Sequence, residues 1–130
     1  MKVKNLFKNL FKKEYTLNRV RDKITVKEGY DTLQLFVDCD PGTIIHRIQK
    51  AQKALLNIKP ESDREERIQA AREFSEALFG EEQTKKLFSF YHGDENCVVT
   101  ICGMYFGDPK NGLGKKITKA QKRNKNAIVR

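Results

Sequence analysis

The sequence predicts an α+β fold: a small N-terminal antiparallel β-meander packed on a predominantly helical C-terminal body. Between residues 14 and 38, apolar residues alternate with polar ones, the period of strands that have one wet face. From Asp40 onward, apolar residues recur at three and four, the period of helices. Charge is unevenly placed: both ends are basic and the middle is mildly acidic.

The 130 residues fit one domain. Hydrophobic residues make up 38% and charged residues 33%, so the core should be thin and the solvated surface wide. Within that domain the elements run as follows. Residues 4–13 repeat the tetrad Asn-Leu-Phe-Lys at 5–8 and 9–12. A four-residue period sets Leu6 above Leu10 and Phe7 above Phe11 on one face, with lysines on the other. This predicts a basic amphipathic helix over 1–13. It is too short to be stable alone and needs a surface to pack on, as a lid on the domain or on a partner. Use as an anionic-membrane anchor is the lesser reading for so short a helix.

Three strands are expected next. They centre on Tyr15 and Leu17, on Ile24 and Val26, and on Leu33, Leu35 and Val37. Arg21-Asp22-Lys23 and Glu28-Gly29-Tyr30-Asp31 have the composition of the turns between them.

Asp40-Pro41 opens the helical part, with Asp40 as N-cap and Pro41 at the first helical position. Ile44, Ile48, Ala51, Leu55 and Ile58 mark a helix over about 42–57, stopped before Pro60. Ser62 with Glu65 matches a capping box, and Ile68, Ala71, Phe74, Ala77 and Leu78 form the stripe of a second helix. Gly80 is a natural stop. A third helix starts at Glu81-Glu82, where acids favour the first turn, and ends at His92-Gly93. Asp94 caps a buried helix carrying Cys97, Val98, Ile101, Cys102 and Tyr105. Its β-branched run Val98 to Ile101 leaves a strand open as the alternative over 96–106. Residues 107–112 are a loop, and Lys115 to Lys125 suit a basic last helix. The predicted organisation is thus the 1–13 helix, a single α+β domain over 14–108 (sheet 14–38, helices 41–106), and a basic C-terminal tail over 109–130, partly helical.

Residues 1–25 hold eight Lys/Arg against two acids, and residues 109–130 hold eight Lys/Arg and no acid. The chain's +9 therefore divides as +6, −5 for 26–108, and +8. That dipolar pattern suits self-association or docking on acidic surfaces, and a single nucleic-acid face if the two ends converge. The middle is too weakly acidic to mimic nucleic acid. An odd count of three cysteines and a Lys-rich start lead us to expect a reducing compartment and no signal peptide. No run of about 18 apolar residues exists to span a membrane.

No set of residues converges on chemistry. Cys39, Cys97, Cys102 and His92 lack the close-pair spacing of structural zinc sites, so three buried small hydrophobes are the simpler account and no metal is expected. A Cys–His nucleophile pair would need Cys97 or Cys102 beside His46 or His92, and nothing in the sequence joins them. Glu65-Glu66 and Glu81-Glu82 fall at helix starts, where capping explains them. Gly107 to Gly114 matches neither common phosphate-loop fingerprint. We therefore expect no catalytic residue, no cofactor and no enzymatic activity.

Two candidate binding features stand out. Leu87, Phe88, Phe90 and Tyr91 crowd four large apolar residues into five positions, more than one helical stripe can bury. Leu87 and Phe88 suit the core; Phe90 and Tyr91 suit a partner groove. The candidate partner-binding set is Phe7, Phe11, Phe88, Phe90, Tyr91 and Tyr105. The second feature is the basic run Lys115, Lys116, Lys119, Lys122, Arg123 and Lys125. It has the Lys/Arg density for phosphate contacts but no interleaved aromatics for base stacking, and a plain solvated face explains it equally well.

Several ordered stretches carry a resemblance. They are Leu33-Gln34-Leu35-Phe36-Val37-Asp38-Cys39-Asp40-Pro41-Gly42, Ala51 to Leu55, Phe79-Gly80-Glu81-Glu82-Gln83-Thr84-Lys85-Lys86-Leu87, Cys97 to Phe106, and Lys116-Ile117-Thr118-Lys119-Ala120-Gln121-Lys122-Arg123. In this order they resemble the tail assembly chaperones of phages and prophages of Gram-positive (Firmicutes) bacteria, over about two-thirds of the chain or more. The resemblance implies a non-enzymatic protein of the host bacterial cytoplasm, absent from the mature virion. It implies binding to the helical tape measure protein, recruitment of tail tube protein, and in some members a frameshifted longer form. A homo-oligomer is compatible with it. The alternative is a basic nucleic-acid-binding or regulatory phage protein acting through its Lys-rich C-terminal tail.

Overall fold

A computed structural model describes residues 17–129, with side chains to residue 126. The predicted 1–13 helix, with Phe7 and Phe11, and Tyr15 of the first predicted strand lie outside the described residues.

Among the described residues the sheet is a hairpin of two long strands, β1 (Val20–Glu28) and β2 (Asp31–Cys39), paired antiparallel with Val20 opposite Cys39 and Glu28 opposite Asp31. The expected break at Arg21-Asp22-Lys23 is absent: β1 runs straight through it. The misleading residue is Asp22. It faces inward, where a polar residue normally signals a turn, but here it has partners in the body. Val20, Val26, Leu35, Val37 and Cys39 are buried on the same face, while Arg21, Lys23, Thr25, Gln34 and Phe36 are exposed on the other. The predicted turn is borne out. Gly29 takes φ 61° at the first of two loop positions, which favours glycine in tight hairpins.

Asp40 caps α1 (Pro41–Leu56) as the sequence predicts, accepting from the Thr43 N–H at 2.9 Å. Ile44, Ile48 and Ala51 are its buried stripe. Burying each isoleucine is worth about 1.5–3 kcal/mol. The next helix, α2 (Arg64–Phe90), is capped by Asp63, whose carboxylate accepts from the Glu66 N–H at 2.8 Å. Ser62 is therefore not the cap; its hydroxyl accepts from the Lys59 N–H and closes the preceding turn. Gly80 breaks α2 in the middle with φ 82° and ψ 172°, a conformation essentially confined to glycine. The stop at Gly80 and the restart at Glu81 are both as predicted, with the two halves following one another directly.

His92 (φ 54°) and Gly93 (φ 80°) turn the chain, and Asp94 caps α3 (Glu95–Gly107) by accepting from the N–H groups of Asn96 and Cys97. Residues 96–106 are thus helical, as preferred over strand. A tight loop follows. The Gly112 N–H donates to Asp108 O at 2.9 Å, and a Cβ on Gly112 would lie 2.3 Å from that oxygen.

The chain ends in α4 (Leu113–Val129), which is longer than predicted and is not a tail. Leu113, Ile117 and Ala120 join the hydrophobic core, so the body extends well past residue 108. Lysine density hid this, since three apolar positions on one face are enough to dock a helix. α2 and α4 each pack against both α1 and α3, and the hairpin rests on α2 through β2 and on α4 through β1. One core joins the hairpin and all four helices.

Candidate interaction surfaces

The first surface surrounds the end of α2. Leu87 is fully buried, as expected from the sequence. Phe88, Phe90 and Tyr91 are each half-buried at the margin of the core. The Arg72 guanidinium lies 5.9 Å from the centre of the Phe88 ring, and Phe90 and Tyr91 meet edge to face at 5.1 Å. Beside them, Glu28, Tyr91, Asn96, Cys97, Thr100 and Ile101 line an open groove of about 290 Å³ between the hairpin tip and α3. Its walls are mainly apolar. Burial pushes the Tyr91 hydroxyl up, with the Glu28 charge adding to it.

Tyr105 does not belong to this surface. It is only 9% exposed, its ring stacks on Phe79 at 5.7 Å between centroids, and its hydroxyl donates to Asp22 Oδ2 at 2.7 Å. Burial, and then the hydrogen bond to Asp22, push the Tyr105 hydroxyl well up. Its role is to tie α3 to β1.

The other oxygen of Asp22 receives Lys116 Nζ of α4 at 2.8 Å. One carboxylate thus fastens a strand to two helices. Partial burial raises the Asp22 carboxyl, but the hydrogen bonds from Lys116, Tyr105 and the Lys23 N–H outweigh it and hold the group below its ordinary value.

Around this tie lies the second surface. Arg19, Arg21, Lys116, Lys119 and Arg123 line a groove of about 210 Å³ floored by Val20 and Ala120. The two basic ends named from the sequence therefore do converge, as far as residues 19–21 and α4 are concerned. Arg19 and Arg21 both face Asp38, at 2.8 and 3.6 Å, and the hydrogen bond from Arg19 holds that exposed carboxyl below its ordinary range. Of the six predicted basic residues, Lys116, Lys119 and Arg123 share this groove; Lys115, Lys122 and Lys125 are exposed and do not line it. Arg19 and Arg21 were not singled out from the sequence. The available signal was their i, i+2 spacing, which sets both side chains on one side of a strand.

Two further features were missed. The Gln83 carboxamide of α2 pairs with the free edge of β2, accepting from Phe36 N–H and donating to Phe36 O, both at 2.6 Å. Glu95, 6% exposed, faces Arg64 and Arg67 at 3.7 and 3.6 Å and joins the starts of α2 and α3.

Among the described residues, no three His, Cys, Asp or Glu side chains gather as a metal-ligand set. Burial pushes all three thiols up, Cys102 to about 12, which is opposite to the shift that activates a cysteine nucleophile. No described helix is long and apolar enough to cross a membrane. No protein-family model, curated protein or solved structure matches the chain.

Proposed function

We propose that this protein is a non-enzymatic phage tail assembly chaperone that acts in the host bacterial cytoplasm and is absent from the mature virion. Its partner is the helical tape measure protein, which it keeps soluble and to which it helps recruit tail tube subunits. The ordered motifs from Leu33 to Arg123 support this reading through their resemblance to that group. The observation that carries it is the half-buried trio Phe88, Phe90 and Tyr91 at the end of α2, of which Tyr91 lines the mainly apolar groove with Cys97 and Ile101. An amphipathic helix docks by laying large apolar side chains into such a groove, while a charged rim keeps the complex in solution.

The test is retention of the tape measure protein of the same genome on the immobilised, folded chaperone at moderate salt. Retention is expected, and Tyr91→Ser should weaken it about tenfold, the usual cost of losing an aromatic anchor. A folded wild-type protein that retains no tape measure protein would sink the reading.

A further inference from the structure

We propose that the groove between β1 and α4 binds the phosphodiester backbone of duplex nucleic acid without regard to base sequence. It uses a different surface from the aromatic end of α2 and does not depend on the chaperone reading.

The charge is built from both sides. On α4, Lys116, Lys119 and Arg123 follow one another at i, i+3 and i+7, which sets them in a line along one flank about 10 Å long. On the hairpin side, Arg19 and Arg21 flank Val20 and close the other wall. Among the described residues, the carboxylates that meet these five cations are Asp22, on Lys116, and Asp38, shared by the two arginines. Counted over the described residues, the groove keeps a net excess of three positive charges on a narrow strip. Lys115 and Lys122, exposed on the same helix, add to the field around it.

Charge spacing selects among anionic partners. The line of about 10 Å along α4 spans about three successive phosphates of one strand at roughly 3.4 Å of axial rise each, and Arg19 and Arg21 face it from the other wall. Among the described residues no aromatic lines the groove, so bases have nothing to stack on there and single strands gain no preference. Contacts of this kind position a duplex by its phosphates and read no sequence.

Binding of the full chain to a short labelled random-sequence duplex, followed by fluorescence anisotropy from about 50 to about 200 mM salt, tests the proposal. Wild type should bind, with affinity falling steeply as salt rises. Lys119→Gln with Arg123→Gln should lower affinity about tenfold or more and reduce the salt slope by about two, one for each phosphate contact removed. Arg21→Gln, on the other wall, should act in the same direction. Lys53→Gln with Lys86→Gln removes the same charge from exposed positions outside the groove and should cost less than about twofold. Absence of binding at the lowest salt would overturn the proposal. So would equal losses in the two double variants, which would reduce the effect to net charge. Polyglutamate competing as well as duplex at equal charge would overturn it too, by pointing to an acidic protein surface instead.

Discussion

α3 and α4 pack against each other and differ almost completely in composition. α3 carries one charged residue, Glu95, in thirteen; α4 carries six lysines and arginines in seventeen. Yet they bury the same pattern. Val98, Cys102 and Tyr105 of α3 and Leu113, Ile117 and Ala120 of α4 each fall at i, i+4 and i+7. Outside that stripe the two helices diverge. α3 leaves apolar residues at the surface, with Met104 65% exposed, whereas α4 presents cations. A helix is docked by the few side chains on its inner face, and its remaining residues are free to serve solubility or binding.

The largest test of this equivalence is Ile117→Ala. Ile117 is 1% exposed, so its truncation should cost about 3 kcal/mol in chemical denaturation, as for any buried isoleucine. A cost below about 1 kcal/mol would return α4 to the status of an appended tail and break the comparison. A smaller effect is expected where the two helices meet β1. Asp22→Asn should cost about 1–2 kcal/mol near neutral pH, because it removes the charge that holds both Lys116 and Tyr105. Its pH dependence has a definite sign. The folded-state value of Asp22 lies below the ordinary 3.8, so its contribution is complete above that value and fades as pH falls through the lower one. Wild type and variant should therefore converge in stability as pH drops from about 5 to about 2. The smallest effects sharpen the contrast between the outer faces. Met104→Gln on α3 and Lys122→Gln on α4, both exposed, should each change stability by less than about 0.5 kcal/mol.

The same contrast explains what was legible in the sequence. Local signals were reliable where a residue acts on its own backbone. Asp40 with Pro41, the stop at Gly80, the Gly29 turn and the Asp94 cap all do what their chemistry suggests. Ser62 and Asp63 are adjacent and equally able caps, and only the geometry of the Lys59 turn assigns one to each task. Signals failed where the answer lies far along the chain. Asp22 looks like a turn residue because its partners are 83 and 94 positions away. For the candidate surfaces, the sequence picked out Phe88 to Tyr91 and the α4 cations but not their neighbours. It assigned Tyr105 to a partner because the inward Asp22 that claims its hydroxyl was not visible, and it left Arg19 and Arg21 out of the basic face for want of the β1–α4 contact.

The Asp22 junction also orders events during synthesis. Chains leave the ribosome N-terminal end first, so the hairpin emerges well before either helix that answers it. Tyr105 arrives late and Lys116 later still. Until then the inward face of the hairpin holds an unanswered charge among Val20, Val26, Leu35 and Val37, with β2 able to lean on α2 but β1 without its neighbour. The last ion pair of the described fold closes only when α4 is free to turn back, which makes the helix that looks like an appendage the one that completes the domain.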